Sequence, residues 1–426
     1  MRGIGHRRRT YLRVTLACVV ASFPLASAAL ANAGRAGHPD PSFDRDGTLV
    51  VGQAHGFANA VDVGPSGRIV VAGAHSVVRL LPSGRLDRSF ADGGIASFES
   101  GAYAKRPSSV SGGPSSVAIG PDGGIFVAGT SCSDIDHCDF AVSRLKPDGE
   151  LDPSFGNGGT ARIGFANPYS EALSIAIAPG GKPVVGGHSC VGASSCDFAI
   201  ARLDRNGELD SSFGDGGKVT GTTGGCYYGL GGMARDSRDR IVVGGSCQLH
   251  IAVLARFNPD GDPDQSFGHG GTASRYVFIQ HVDALAIDSH DRIDIAGRNH
   301  KGYGVDRFGR SGRYDSSFGD HGTARADFRG AQYVAARTAA IDSRGRIVVA
   351  GEAQDPGFRS TFGFARFKPD GRVDGRLGSH GTVEVAPREG FRAADSVAID
   401  RRDRIVGAGP HLRHGRKRFG LVRLLG

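Results

Sequence analysis

The side chains best suited to bind a ligand are tyrosines, histidines and basic residues that stand outside the repeated parts of the chain. Tyrosine rings pack on apolar surfaces and carry a polar hydroxyl, while histidine and basic side chains donate hydrogen bonds to hydroxyl and acidic groups. We therefore expect this set to bind a protein or a glycan. The predicted binding residues are Tyr103, Lys105, Arg106, Tyr169, Tyr227, Tyr228, His281, His300, Tyr333 and His411, with Arg298 and Arg392 beside them.

No known catalytic motif accompanies these residues. The sequence has no Gly-x-Ser-x-Gly elbow, no His-Glu-x-x-His and no phosphate-binding loop. Histidines recur after the predicted second strands, but at differing offsets, so a converging metal site is not predicted. Asp134, Asp136 and Asp139 could hold a cation, although such a cluster is more often only a turn. We predict no catalytic residue, metal ligand or cofactor, and keep calcium as the ion that could bind.

The cysteines fall into matching places in the chain. Cys132 and Cys138 flank one loop, and Cys190 and Cys196 flank the equivalent loop one repeat later. Cys226 precedes a predicted first strand and Cys247 follows the antiparallel second strand, so these two also should lie side by side. Three disulfides, Cys132–Cys138, Cys190–Cys196 and Cys226–Cys247, are the prediction, as expected of an exported protein. A metal cluster or a redox switch is the alternative.

The elements that position these residues are copies of one repeat. The clearest copy is Leu-Asp-Pro-Ser-Phe-Gly-Asn-Gly-Gly at 151–159, and equivalent positions recur at spacings of 47 to 65 residues. Each repeat carries four strand signals. The repeat centres are Phe43, Phe90, Phe155, Phe213, Phe267 and Phe318, with a diverged copy at Leu377.

This period and strand count predict an all-β chain, a seven-bladed β-propeller of four-stranded blades. One unit is read as strands at 172–178, 182–187, 197–203 and 218–220. The segment from Pro41 to Val51 reads as a lone fourth strand, and the chain stops after a third strand. We therefore expect the N-terminal strand to join the last blade and close the ring. An open β-solenoid is the rival architecture.

Each predicted third strand carries an arginine, and in six of the seven an aspartate follows eight residues later. Examples are Arg79 with Asp87 and Arg307 with Asp315. Arg423 has no aspartate after it, so Asp40 should serve as its partner across the closure. Residues repeated in every copy serve the fold, and we expect these pairs to be structural, because breaking a buried pair leaves one charge uncompensated.

The Leu-Asp-x-Ser-Phe-Gly-x-Gly-Gly motif, followed by Ala-Ile-Ala, Pro-Asp-Gly and Val-Val-Ala-Gly patterns, resembles the delta-60 repeat of bacterial exported proteins of unknown function. The resemblance extends from about Asp40 to Gly426. It implies a β-propeller of delta-60-like repeats and brings neither an established reaction nor catalytic residues to this chain. The copy around Leu377 departs most from the motif.

The N-terminal segment is typical of an export signal. Residues 1–33 combine Arg7-Arg8-Arg9, an apolar stretch broken by Pro24 and a small-residue cleavage site, Ala31-Asn32-Ala33. The run Arg8-Arg9-Thr10-Tyr11-Leu12 also resembles a twin-arginine signal, and a membrane anchor is the alternative. Five arginines and no acids lie in this segment, so the net charge of +8 overstates the basic character of the rest. A nucleic-acid partner is not implied.

We expect residues 34–426 to form a single exported propeller domain, a monomer without a membrane span, in the periplasm, at the cell surface or outside the cell. The repeats differ at the second-to-third-strand connections and at the links into the next blade. Both lie on one face, which we name the variable face and which carries the predicted binding residues.

A non-catalytic scaffold binding an extracytoplasmic protein or glycan is the leading hypothesis. The alternative is a propeller enzyme, a lyase, lactonase or quinone-dependent dehydrogenase, with a metal or cofactor in the channel. The basic run 411–418 is read as a solvated loop or a site for an acidic polymer or membrane surface.

Overall fold

The computed structural model describes residues 36–426 except 74–75, 98–113, 135, 192–194, 222–229, 300–301 and 386–389. Within these residues the regular structure consists of β-strands and one short 3-10 turn, Pro179–Gly181. In the same residues, no helix is long and apolar enough to cross a membrane.

The strands are short and follow one another in groups that match the predicted repeat. They are β1 (Thr48–His55), β2 (Ala58–Val63), β3 (Ile69–Gly73), β4 (Ser76–Leu80), β5 (Ile95–Ser97), β6 (Pro114–Ile119), β7 (Ile125–Cys132), β8 (Cys138–Leu145), β9 (Thr160–Ile163), β10 (Tyr169–Ala178), β11 (Lys182–Val191), β12 (Ser195–Arg202), β13 (Lys218–Gly221), β14 (Leu230–Arg235), β15 (Ile241–Gln248), β16 (Ile251–Phe257), β17 (Thr272–Tyr276), β18 (Ala284–Ile287), β19 (Ile293–Asn299), β20 (Gly302–Phe308), β21 (Thr323–Asp327), β22 (Tyr333–Ile341), β23 (Ile347–Gln354), β24 (Ser360–Phe367), β25 (Thr382–Val385), β26 (Ser396–Ile399), β27 (Ile405–Arg413) and β28 (Arg416–Leu424).

These strands form antiparallel four-stranded sheets in chain order. The sheets β2–β5, β14–β17, β18–β21 and β22–β25 stand alone, while β6–β9 and β10–β13 are joined by one parallel pairing, Tyr169 with Cys138. The remaining sheet has the order β1-β28-β27-β26, so the first strand lies beside the last. The first strands of successive sheets contact one another, and β2 contacts both β6 and β26. The fold is an all-β propeller.

A glycine in the second strand shapes the first strand in five of the sheets. A Cβ at Gly187 would overlap the carbonyl oxygen of Glu171, and a Cβ at Gly409 would overlap that of Ala393. Gly297 stands in the same relation to His281. The missing side chain lets the first strand approach closely and bulge, and a bulge re-aims the residue at its centre. The repeated glycine therefore fixes where one side chain per blade departs from the regular alternation.

The core lies between neighbouring sheets, and the repeat phenylalanine is part of it. Phe43, Phe90, Phe155, Phe213 and Phe267 are each fully buried. Repeat arginines lie over four of these five rings, as Arg423 does over Phe43 with its guanidinium carbon 4.7 Å from the ring centroid. Arg144 lies over Phe126 instead of Phe155. The predicted arginine–aspartate pairs include Arg79–Asp87, Arg202–Asp210 and Arg366–Asp374, at N–O distances of 2.9, 2.7 and 2.9 Å.

One predicted pair is wrong and one pair across the chain ends is confirmed. Arg307 does not pair with Asp315: its guanidinium binds both carboxylate oxygens of Asp294, at 2.7 and 2.9 Å. Asp294 lies directly opposite Arg307 on β19, whereas Asp315 accepts hydrogen bonds from Ser317. Arg423 Nε lies 2.8 Å from Asp40 Oδ2, as expected.

Two predicted disulfides are confirmed. Cys132 bonds Cys138 and Cys190 bonds Cys196, each closing the connection between second and third strands. Cys247, near the end of β15, is also disulfide-bonded, and its predicted partner Cys226 lies outside the described residues.

Candidate functional site

The residue at the centre of each first-strand bulge differs from blade to blade. Pairing with the second strand skips Asn59, Ser115, Leu173, Gly231 and Arg337. Asp283 and Asp395 occupy the same position, each two residues after the carbonyl that approaches the second-strand glycine. In a propeller the first strands surround the central channel. The bulge is the second residue of β2, β6 and β14 and the fifth residue of the longer β10 and β22, and four or five strand residues separate it from the opposite face. It therefore lies toward the variable face.

Three consecutive blades place charged residues at this position. We name Asp283, Arg337 and Asp395 the charged arc. Arg337 Nε lies 3.3 Å from Asp395 Oδ1, and its guanidinium also lies 3.4 Å from Glu352 Oε2 on β23. The Arg337 side chain is 46% exposed, so it has acidic neighbours and still faces solvent. The other bulge residues, Asn59, Ser115, Leu173 and Gly231, carry no charge.

The two aspartates of the arc titrate far above their ordinary range. Burial raises the pKa of Asp283 to about 6, against the opposing effects of a hydrogen bond from the Arg298 backbone and the charges of Arg298 and Arg337. Burial likewise raises the pKa of Asp395 to about 6, with Arg337 lowering it and Glu352 raising it. Both carboxyl groups therefore change charge in mildly acidic solution.

Three residues singled out in the sequence lie beside the arc. Arg298 Nε donates a hydrogen bond to Gln280 Oε1 at 2.8 Å, and its guanidinium carbon lies 5.5 Å from the Tyr333 ring centroid. Tyr333 is 40% exposed. Burial and then the charges of Arg298 and His250 lower the pKa of His281. Arg298 is thus a shared neighbour of Tyr333, His281 and the arc residue Asp283.

Tyr169 belongs to a different group. Its hydroxyl donates to Glu171 Oε2 at 3.1 Å, and its ring stacks on that of His188 with centroids 6.5 Å apart. His188 Nε2 also lies 3.6 Å from Glu171 Oε2. These residues lie on β10 and β11, in a different sheet from any residue of the charged arc.

His411 lies in neither group. It is 5% exposed and packs against Phe391, with ring centroids 5.2 Å apart. The other predicted binding residues lie outside the described residues. They are Tyr103, Lys105, Arg106, Tyr227, Tyr228 and His300.

Of the aspartates considered as ligands of a cation, Asp134 and Asp136 belong to a hydrogen-bonded turn and Asp139 lies on β8. Asp134 Oδ1 accepts hydrogen bonds from the backbone N–H groups of Asp136 and His137, each at 2.9 Å, and His137 Nδ1 lies 2.8 Å from it. Among the residues with described coordinates, no three histidine, cysteine or acidic side chains converge in a way that could hold a metal ion.

Sequence reasoning missed the residues at the centre of the site. Asp283, Arg337, Asp395 and Glu352 were not among the predicted binding residues, because they border or lie within apolar strands. A signal for the first three was present in the repeat. They precede the equivalent strand patterns Ala-Leu-Ala-Ile, Thr-Ala-Ala-Ile and Ser-Val-Ala-Ile, at a place where the other copies have neutral residues.

Comparison with known proteins agrees with this fold. Five stretches, residues 64–90, 120–155, 179–213, 239–267 and 345–375, match a family model described as a domain of unknown function (DUF5122) beta-propeller. These stretches cover less than half of the chain. No curated protein sequence matches it.

Several solved structures resemble the chain in fold at low sequence identity. Selenomethionine-substituted virginiamycin B lyase from Staphylococcus aureus is 10% identical with a TM-score of 0.50, over 88% of this chain and 98% of that one. The WD40 propeller domain of Doa1 is 11% identical with a TM-score of 0.48, over 88% and 95%. The PQQ-bound aldose sugar dehydrogenase from Streptomyces coelicolor is 14% identical with a TM-score of 0.42, over 88% and 98%. The chain is therefore a β-propeller whose repeats are similar to those of the DUF5122 beta-propeller family.

Proposed function

We propose that this protein is an exported, closed seven-bladed propeller that binds a glycan, or a protein surface of similar polarity, at the variable-face mouth of its central channel. The observation that carries the proposal is the charged arc. A repeat that is neutral at one position in four copies carries Asp283, Arg337 and Asp395 at that position in three consecutive copies.

The proposed ring of seven blades is supported by the strand pairing and by hydrogen bonds between neighbouring blades. Counting β6–β9 and β10–β13 as separate blades, and β1 with β26–β28 as another, gives seven four-stranded units. The backbone N–H of Val61 on β2 donates to Ser396 Oγ on β26 at 3.1 Å. The junction between β6 and β10 has the same kind of bond, from the backbone N–H of Ile175 to Ser116 Oγ at 3.2 Å. The first and last blades therefore meet as other neighbours do.

Export is supported by the disulfides and by the predicted signal at residues 1–33. Disulfides persist in oxidising compartments, and both described pairs close surface connections. We propose that the mature protein begins near Gly34 and acts as a monomer in the periplasm, at the cell surface or outside the cell.

The side chains of the site suit a polyhydroxylated ligand. Carboxylates accept and guanidinium groups donate hydrogen bonds in fixed directions, so Asp283, Arg337 and Asp395 offer both kinds of partner to neighbouring hydroxyls. Tyr333 adds an exposed aromatic face beside them. Arg337 is held by Asp395 and Glu352 before any ligand arrives, which lowers the entropy lost on binding. We therefore favour a glycan over a protein surface.

A second function is favoured by the titration of the arc. Proton transfer is most efficient when the pKa of the catalytic group is near the working pH, and Asp283 and Asp395 both have a pKa of about 6. The alternative is a propeller enzyme acting on a sugar or lactone through these carboxyl groups, with any metal or cofactor in the channel. We propose no resident cofactor for the binding scaffold and keep calcium as the ion to test.

The test is a glycan array probed with the purified mature protein and with Arg337→Gln. The proposal predicts a defined set of bound oligosaccharides that the variant loses. Arg344→Gln is the matched control, because Arg344 is an exposed arginine at a turn on the opposite face, 3.4 Å from Asp403. No binding by the wild-type protein, or the same bound set with Arg337→Gln, would contradict the proposal. Turnover of a bound sugar that Asp283→Asn abolishes would favour the enzyme.

A further inference from the structure

We propose that the ligand is an acidic glycan bearing carboxylate groups, and that the β27–β28 hairpin on the variable face binds those groups. The inference rests on the proposed function and extends it to a second surface. The hairpin carries Arg413, His414, Arg416 and Lys417, all exposed.

The hairpin is a rigid carrier for these charges. Its strands pair without a break from Ile405 with Leu424 to Arg413 with Arg416. The two turn residues, His414 and Gly415, have φ values of 50° and 74°, the positive values that a tight two-residue hairpin turn requires. Lys417 Nζ lies 4.7 Å from the ring centroid of Phe57, which anchors one side of the hairpin to the link before β2.

The positions of the two arginines destabilise the pairing of the hairpin strands. Arg413 and Arg416 stand directly opposite each other, and like charges in directly opposed positions destabilise a strand pair. The corresponding terminal pairs of the other second-to-third-strand connections contain no two charged residues. They are Gly73–Ser76, Cys132–Cys138, Val191–Ser195, Gln248–Ile251, Asn299–Gly302 and Gln354–Ser360. An anion bound between the two guanidinium groups would relieve the repulsion.

The described residues supply no acid to neutralise the hairpin. Within that part of the chain, Arg413, Arg416 and Lys417 form no ion pair, whereas Arg337 and Arg404 both contact carboxylates. Among the described residues, the hairpin charges are therefore not neutralised by an acidic side chain.

A continuous path joins the hairpin to the charged arc. The backbone N–H of Leu412 donates to the Gly390 carbonyl at 2.7 Å, and that of Arg392 to the Pro410 carbonyl at 3.2 Å. Arg392 is exposed and stands three residues before Asp395. One blade therefore presents the cationic hairpin, Arg392 and one member of the arc. A chain of acidic sugars fits this order, with carboxylates on the hairpin and hydroxyls at the arc.

The experiment compares an oligogalacturonate with its fully methyl-esterified form, which has the same sugars without charge. Binding is measured by titration calorimetry at low and high salt. The hairpin variant is Arg413→Ser/Arg416→Ser/Lys417→Ser. The control is Lys368→Ser/Arg372→Ser/Arg376→Ser, which removes three exposed cations from the opposite face. Thermal unfolding of each variant shows whether it is folded.

We expect the wild-type protein to bind the acidic form at least about tenfold more tightly than the ester, with affinity falling as salt rises. The hairpin variant should lose that preference and most of the salt dependence, and the control should keep both. If the hairpin variant loses the preference while Arg337→Gln binds normally, the inference stands and the proposed arc site fails. Equal affinity for both forms, no binding of either, or tighter binding of a single-stranded DNA oligomer would overturn the inference. If the wild-type protein binds both forms equally and Arg337→Gln abolishes that binding, the proposed function stands and only the further inference fails.

Discussion

Arg423 Nε and Asp40 Oδ2 lie 2.8 Å apart and join the last strand of the chain to the segment before the first. Both residues are nearly fully buried, and Arg404 also contacts Asp40 at 3.2 Å. Burial alone would raise the pKa of Asp40, but hydrogen bonds from Ser42 and the charges of Arg423 and Arg404 lower it. The buried ion pair thus links the N-terminal segment to the last strand.

Asp40→Asn should therefore destabilise the fold strongly. Removing one partner of a buried ion pair typically costs about 3–5 kcal/mol, because the other charge is left uncompensated. Asp315→Asn is the matched control, since Asp315 occupies the repeat position but does not bind the repeat arginine. Urea unfolding should show a large loss for Asp40→Asn and a small one for Asp315→Asn. If both variants lose the same free energy of unfolding, the Arg423–Asp40 pair does not stabilise the fold more than an unpaired aspartate at the repeat position does.

The second-strand glycines should be required for the site as well as for the fold. A Cβ at Gly409 would overlap the carbonyl oxygen of Ala393, two residues before Asp395. We expect Gly409→Ala to cost at least about 1–3 kcal/mol, as overpacking does, and to move Asp395 away from Arg337. Gly375→Ala is the control, because a Cβ at Gly375 would have no atom within 4 Å and the φ of this glycine is not positive. A stable Gly409→Ala protein with unchanged ligand binding would contradict the role given to the bulge.

The buried aspartates of the arc should make stability depend on pH. The pKa of Asp283 is about 6 in the folded protein, above its ordinary value of 3.8. Its stabilising contribution is therefore fully present below pH 3.8 and is lost as pH rises through about 6. The upper limit of that loss is about 3 kcal/mol, at about 1.4 kcal/mol per pKa unit.

Asp283→Asn removes the titrating group and should flatten this dependence. The free energy of unfolding of the variant, relative to that of the wild-type protein, should increase as pH rises from about 4.5 to about 7.5. Thermal unfolding at both pH values measures this difference. Asp320→Asn, at a fully exposed aspartate, should leave the dependence as it is. If the stabilities of the wild-type protein and of Asp283→Asn change by the same amount over this pH interval, the raised pKa of Asp283 is contradicted.

Each short disulfide should contribute a modest amount. Cys132–Cys138 and Cys190–Cys196 each have a sequence separation of 6, and closing so short a loop in the unfolded chain contributes about 2 kcal/mol through loop entropy. We expect Cys132→Ser/Cys138→Ser to lower the free energy of unfolding by about that amount without loss of the fold, as measured by circular dichroism. If the variant does not fold, the disulfide stabilises the protein by more than the loss of loop entropy in the unfolded chain.

The sequence was most informative where the repeat imposes one solution on every blade. The strands at 172–178, 182–187, 197–203 and 218–220 were predicted within or close to the bounds of β10–β13, and Asp40 was identified as the partner of Arg423. These predictions succeed because strand period, turn glycines and repeat spacing are local properties. The count of seven blades remains a prediction that the pairing of β1 with β28 supports.

Prediction was weakest where one blade departs from the rest. Arg307 binds Asp294 because β19 carries an aspartate opposite it, where β11 and β23 have valine. A rule drawn from the other copies could not anticipate that substitution. The charged arc was missed because a bulge turns a residue out of the strand alternation, and that geometry depends on a glycine in the adjacent strand. Exposure of loop side chains was a poor guide too, since His411 is buried against Phe391.

A crystal structure of the mature protein with the strongest oligosaccharide from the array would test the proposed site most directly. We predict the sugar at the variable-face mouth of the channel, within hydrogen-bonding distance of Arg337 and of Asp283 or Asp395, with Tyr333 beside a ring. A sugar bound instead at Tyr169, Glu171 and His188, or on the opposite face, would contradict the proposed site.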